Sequence, residues 1–251
     1  MTNWFNLSIR RFLRNKVNSF INIFGLALGM MVFLLIFIYV RHEFSYDNFH
    51  KNADHVFRLI KENSPNGDNY LGNALQAVLP APLAEVLKSD ISGITHVARL
   101  DSRKTLIVDA EGKTFYEDNY HAADEDLFSI LTFKVLYGNN GNTLKNPFTV
   151  AISSSTAVRY FGTKNAVGRV LDLTGNKGSF GQYTVDMVFS EFPTNSSYQF
   201  NIILRFEDHA NVAHTNNLTW NNYNHYFFVR TAEKSSVSDI QEQIKSLFPK
   251  T

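Results

Sequence analysis

The chain has no cysteine among its 251 residues, so disulfides and thiolate metal sites are excluded. It also lacks a marked excess of either charge. The formal net charge is +1, and it is −3 for residues 20–251, once the four basic side chains before Phe20 are set aside. A nucleic-acid-binding surface is therefore not indicated. No internal repeat and no low-complexity segment is present.

Catalytic signatures are missing as well. Gly112-Lys113-Thr114 has the ending of a phosphate-binding loop, but the position that needs the preceding glycine is Ile107, and the setting is a strand turn. Gly175, Gly178 and Gly181 precede a strand, so they offer no helix N-terminus to a phosphate and read as a hairpin tip. His50 and His55 flank Asp54, yet a spacing of five sets two imidazoles poorly on one helix face, and there is no His-Glu-x-x-His. They read as solvent-facing or packing histidines. His209, His214 and His225 show no ligand spacing. No Gly-x-Ser-x-Gly elbow occurs, and Ser153-Ser154-Ser155 reads as a helix start. The aromatics of Trp220–Phe228 suit either a cleft or a strand core. The expectation is a protein with no catalytic residue, no cofactor and no metal.

What is present is a long apolar run. Phe20–Val40, FINIFGLALGMMVFLLIFIYV, carries no charge in 21 positions. At about 1.5 Å per residue it is long enough to cross a hydrocarbon core of about 30 Å. A signal peptide would have a shorter core and a small-residue cleavage site, and none follows here. A buried helix of a soluble protein rarely runs this far without a polar face. Arg10, Arg11, Arg14 and Lys16 precede the run with no acidic residue among the first nineteen. By the positive-inside rule the N-terminus faces the cytoplasm and everything after Val40 lies outside it. Phe5, Ile9, Phe12 and Leu13 fall near one helical face of the lead-in, which suits a helix in the headgroup layer as well as it suits an ordinary basic flank. Trp4 is an interfacial anchor type. Gly25 and Gly29 form a GxxxG that permits close helix packing.

The mean hydropathy is −0.17 despite this run, so the remainder is water-soluble. About 210 residues follow the span, enough for one large domain or two small ones. Alternation predicts strands over His55–Lys61, Thr95–Leu100, Thr105–Val108, Thr114–Ala122, Leu131–Tyr137, Phe148–Ile152, Val167–Leu173, Tyr183–Phe189, Phe200–Phe206 and Tyr226–Thr231. Helices are expected from near Pro82, over Asp124–Ile130, over Ser154–Phe161 with Ser153 as cap and Gly162 as stop, and over Val237–Phe248. Strands and helices mix without a regular βαβ alternation. The expected fold is α+β: one N-terminal transmembrane helix, then a mixed α/β extracytoplasmic domain of two subdomains.

Several segments, in order, resemble the permease subunits of MacB-like (FtsX-related) ABC transporters. LSIRRFLRNKVNSFINIFGLALGMMVFLLI is similar to their first membrane helix with its basic lead-in, and EFSYDNFHKNADHVFRL to the start of the outer domain. YHAADEDLFSILTFKVLYGN with VAISSSTAVRYFGTKNAVGRVL resembles the middle of the periplasmic core domain, and YTVDMVFSEFPTNSSYQFNIIL its later strand pair. The resemblance implies three parts: a cytoplasmic lead-in over 1–19, a transmembrane helix over 20–40 and a periplasmic core domain over 41–251. It implies an inner-membrane permease subunit, N-terminus inside, that couples ATP hydrolysis by a cytoplasmic ABC ATPase to conformational change outside. Export (efflux) and mechanotransmission both fit. Expected partners are that ATPase, a second permease copy, the lipid bilayer and a periplasmic adaptor protein. Gly25 and Gly29 are then candidates for helix packing, and Arg10, Arg11, Arg14 and Lys16 for orientation and cytoplasmic contact. Family members carry further membrane helices after the core domain, whereas this sequence has one span, so a fragment, truncated product or split subunit is expected. The alternatives are a stand-alone membrane-anchored binding or sensor module and a signal-anchored hydrolase.

Overall fold

A computed structural model of the chain describes residues 14–62, 75–103, 105–118, 120–139, 141, 143–175, 178–208 and 219–247. It divides into two units, residues 1–47 and 48–251. Residues 1–13 of the expected lead-in, with Arg10 and Arg11, lie outside the described residues, as do His209, His214 and Phe248.

The first unit is built on helix α1, Lys16–Glu43. Its 28 residues extend the expected span by four at the N-terminus and three at the C-terminus, about 42 Å in all. No residue of α1 is buried. Among the described residues it is the one helix long and apolar enough to cross a membrane. The helix needs no polar face, because in hydrocarbon its backbone groups are satisfied internally. Phe20 stacks on Phe24 and Phe33 on Phe37, one turn apart. Arg41 and His42 occupy the last turn, where positive charge suits the helix dipole.

The second unit runs β1 (Val56–Arg58), β2 (Lys61–Glu62), β3 (Leu75–Gln76), β4 (Leu79–Pro80), α2 (Leu83–Asp90), β5 (Ile94–Arg103), β6 (Leu106–Ala110), β7 (Lys113–Glu117), β8 (Tyr120–Ala123), α3 (Leu127–Ile130), β9 (Val135–Gly138), β10 (Thr149–Ser153), α4 (Ser154–Phe161), β11 (Val170–Gly175), β12 (Gly178–Phe189), β13 (Ile202–Arg205), β14 (Tyr223–Thr231) and α5 (Val237–Leu247). A twelve-stranded sheet takes the order β1-β14-β5-β8-β13-β10-β12-β11-β6-β7, with β4 on β14 and β9 on β12. Two pairs, β10 with β12 and β8 with β13, are parallel, which makes the sheet mixed. The two subdomains expected here are not separate: residues 48–251 form a single unit, because this one sheet is continuous through it.

Side chains alternate between faces, so one strand feeds two cores. In β5, Ala98 and Leu100 join a cluster rich in phenylalanine, whereas Val97 joins another with α2 and α5. In β14, Phe228 joins the first, and Phe227 and Val229 the second. A third cluster, including Leu106, Val108, Leu171, Leu173, Tyr183 and Val185, lies where β6, β11 and β12 meet α4.

Two expectations differ in detail. Thr114–Ala122 is not one strand: β7 ends one edge of the sheet, and β8 lies in the middle beside β5. Alternation continues across the break, so periodicity hides it. Buried Glu117 closes β7 by accepting from the Tyr160 hydroxyl at 2.6 Å and pairing with Arg159 of α4. The strand expected from Leu131 begins only at Val135, because the Thr132 amide is engaged elsewhere. Other starts and stops follow the sequence closely. Ser153 accepts from the Thr156 amide and caps α4, and Gly162 ends it in the left-handed region at φ 68°.

Candidate functional site

Asparagine 48 opens the second unit, and the next three residues fasten to its interior. The Thr132 amide donates to His50 Nδ1 at 3.0 Å, and the Lys51 amide donates to Thr132 Oγ1 at 2.9 Å. The Phe49 and His50 rings lie 4.0 Å apart, and both meet Phe192, at 5.4 and 5.9 Å between centroids. Phe192 is itself packed on Phe133 at 4.8 Å and Phe200 at 5.3 Å. Edge-on and tilted aromatic pairs of this kind add about 0.5–1.5 kcal/mol each beyond their buried area. The chain then enters β1, which pairs antiparallel with β14 through Val56–Arg230, Phe57–Val229 and Arg58–Phe228. The first sheet strand after α1 and the last strand before α5 are therefore neighbours.

Next to Phe192, Glu191 binds the start of α4. Its carboxylate accepts from the Ser154 hydroxyl at 2.9 Å and from the Ser155 amide. Burial raises the pKa of Glu191, but hydrogen bonds from its own and Ser155's backbone, and from the Ser154 and Ser155 hydroxyls, outweigh that and leave it lowered.

A buried ionic group braces β5. Arg99 holds Asp124 through two side-chain bonds, Nε to Oδ2 at 2.8 Å and Nη2 to Oδ1 at 2.7 Å, and its amide donates to Oδ2 at 2.8 Å. The guanidinium lies 4.0 Å from the Phe206 ring centre and 3.3 Å from Glu207. Burial lowers the Arg99 pKa, but the bond and charge of Asp124 reverse this and keep it fully charged. Two groups, the buried His121 and the half-buried Asp186, have displaced pKa values. Desolvation lowers His121 to about 4, with Phe200 against its ring at 4.6 Å. Desolvation raises Asp186 to about 6, against a bond from the Leu144 amide. Asp186 is the extra residue of a bulge between Val185 and Met187 opposite β10.

The residues singled out from sequence fall as follows. Gly25 and Gly29 lie on α1, and a Cβ at either would meet nothing within 4 Å. Arg14 and Lys16 are exposed at its start. Gly112-Lys113-Thr114 turns the β6–β7 hairpin, with the Gly112 amide donating to Asp109 Oδ1. The Gly175–Gly178 pair closes the β11–β12 hairpin. Ser153 opens α4. His50 packs in the aromatic cluster, and His225 is buried 3.7 Å from Asp101 and against Phe206. Phe227 and Phe228 are core, whereas Trp220 is half exposed. Among the described residues, no group of three or more histidines and carboxylates is placed to hold a metal ion. The Phe49–His50–Phe192 contact and the Glu191 cap went unnoticed in the sequence, because their partners lie 37 to 143 positions away.

The profile of the MacB-like periplasmic core domain matches residues 19–247. The chain belongs to that family. Members of the MacB-like family are periplasmic parts of ABC transporter permeases, which work with an ABC ATPase within a transporter. Among solved structures, a domain assigned to a permease protein of Porphyromonas gingivalis shares 19% identity and a TM-score of 0.61, over 80% of this chain and 87% of that one. The periplasmic region of MacB from Actinobacillus actinomycetemcomitans shares 18% identity and a TM-score of 0.54, over 77% and 84%. Both likenesses are of fold. The comparison with curated proteins finds no match.

Proposed function

We propose that this MacB-like chain is the first span and periplasmic core of an ABC transporter permease subunit in a bacterial inner membrane, with its N-terminus in the cytoplasm. It has no catalytic part. A cytoplasmic ATPase supplies the work, and the chain carries the resulting motion to the outer domain, for export or for action on other periplasmic proteins. The observation that supports this best is the pairing of a 28-residue apolar helix with a core domain of this family on one chain. The aromatic seat of Phe49 and His50 suits a mechanical role, since it ties the segment after the span to an aromatic cluster in the core of the domain.

Gly25 and Gly29 act in packing against another membrane helix, that of a second permease copy, and Arg10, Arg11, Arg14 and Lys16 hold the orientation and meet the cytoplasmic partner. The test is co-purification from membranes with an ABC ATPase co-expressed from the same genome. The proposal predicts a stable complex whose ATPase rate changes when the chain is present. No complex, and no change in rate, would favour a stand-alone anchored module. Gly25→Leu with Gly29→Leu should lower recovery of the second copy; unchanged recovery removes the packing role.

A further inference from the structure

We propose that the dipeptide Glu191–Phe192 is a relay that couples the segment after the span to helix α4. The two side chains face different parts of the domain. Phe192 receives Phe49 and His50 at centroid distances of 5.4 and 5.9 Å. Glu191 holds the first turn of α4, both oxygens lying 2.9 Å from the Ser154 hydroxyl. Their Cα atoms are about 3.8 Å apart across one peptide. The backbone around them has little slack. The Ser190 amide is bonded to the Lys134 carbonyl at 2.9 Å, and Pro193 disfavours helical backbone at Phe192. The turn that follows is closed by the Ser196 amide and the Gln199 side chain, both donating to the Pro193 carbonyl.

A displacement of Phe49 therefore moves the Phe192 ring, and Glu191 cannot keep bonds to both Ser154 and Ser155 when its backbone shifts by an ångström, because such bonds fail beyond about 3.5 Å. The two-state element is the cap, made or released. Helix α4 sits on the cluster under β6, β11 and β12 through Ala157 and Tyr160, and Tyr160 and Arg159 reach Glu117 on the edge strand β7. Release of the cap thus loosens the part of the sheet farthest along the strand order from β1. The relay deepens the mechanical function proposed above and rests on it.

Hydrogen exchange of the full chain in lipid nanodiscs tests the relay with no ATPase present. Phe49→Ala, and the milder Phe49→Leu, should speed exchange of the Ser155 amide, the one Glu191 holds, about fivefold, with helix α5 unchanged. Coupling is reciprocal, so Glu191→Gln should speed the Lys51 and Thr132 amides by a similar factor. The relay is overturned if Phe49→Leu changes only residues 49–51 and 131–133, or if Glu191→Gln changes only α4. A lost relay with ATPase association intact removes the relay alone; an intact relay without that association removes the transporter function alone.

Discussion

Helices α1 and α5 use one backbone geometry in two different surroundings. In α1 every face is apolar, and none of its 28 residues is buried. In α5 the apolar residues are confined to Val237, Ile240, Ile244 and Leu247, and Ile240 is buried against the cluster of α2, β5 and β14. Its polar face also contributes: Gln243 Oε1 accepts from the amide and hydroxyl of Ser92 at 2.9 Å. The chain comes close enough there because Gly93, at φ 90°, has no Cβ; one would lie 2.7 Å from Ser235 Oγ. The arrangement of apolar residues, more than their number, separates a helix that meets lipid from one that meets protein.

Substitutions in the two regions should break this contrast in different ways. The largest effect is expected at the buried ion pair of the domain. Asp124→Ala takes from Arg99 its buried partner, leaving the more exposed Glu207, and should destabilise the domain by about 3 kcal/mol in urea unfolding. Next comes α5, where Ile240→Ala should cost about 2–4 kcal/mol. Leu34→Ala in α1 should leave domain unfolding within about 0.5 kcal/mol. Leu34→Arg should instead oppose membrane integration by about 3 kcal/mol, read as the carbonate-resistant fraction. Ser153→Ala removes the α4 cap and should cost about 1 kcal/mol.

Other effects are set by pH. His121 stays neutral in the fold to about pH 4, whereas the unfolded chain takes up that proton near 6.5. Protons then favour the unfolded state, so stability falls as pH drops from 6.5 towards 4, and His121→Phe should flatten that limb. Asp186 behaves oppositely. Its folded pKa, about 6, exceeds the unfolded value of 3.8, so stability falls as pH rises between the two. Asp186→Asn should raise the melting temperature by about 2–4 °C at pH 7.5 and little at pH 4.

The contrast also explains what was legible in the sequence. The long apolar helix could be read directly, because none of its residues is buried and composition alone marks it. The cap at Ser153, the stop at Gly162 and the stripe on α5 are local patterns of a few residues, and they too were legible. The division of 114–122 between a sheet edge and the sheet centre was not, since alternation records burial on a face and not which strand lies alongside. The seat of Phe49 and His50 was hidden for a similar reason. A phenylalanine at 49 is compatible with many partners, and only the topology that brings Phe133, Phe189, Phe192 and Phe200 together selects among them. Arg99 and Asp124 were ordinary charges in sequence, and their 25-residue separation gave no sign that both would be buried.

The central claim is that motion driven in the cytoplasm reaches the outer domain through the segment after α1. Hydrogen exchange of the chain with its ATPase in nanodiscs, compared between the nucleotide-free and ATP-bound forms, tests it most directly. The account predicts that ATP changes exchange at the Lys51 and Thr132 amides on the far side of the membrane. Exchange at those amides that stays the same, while the ATPase is bound and turning over, would contradict it.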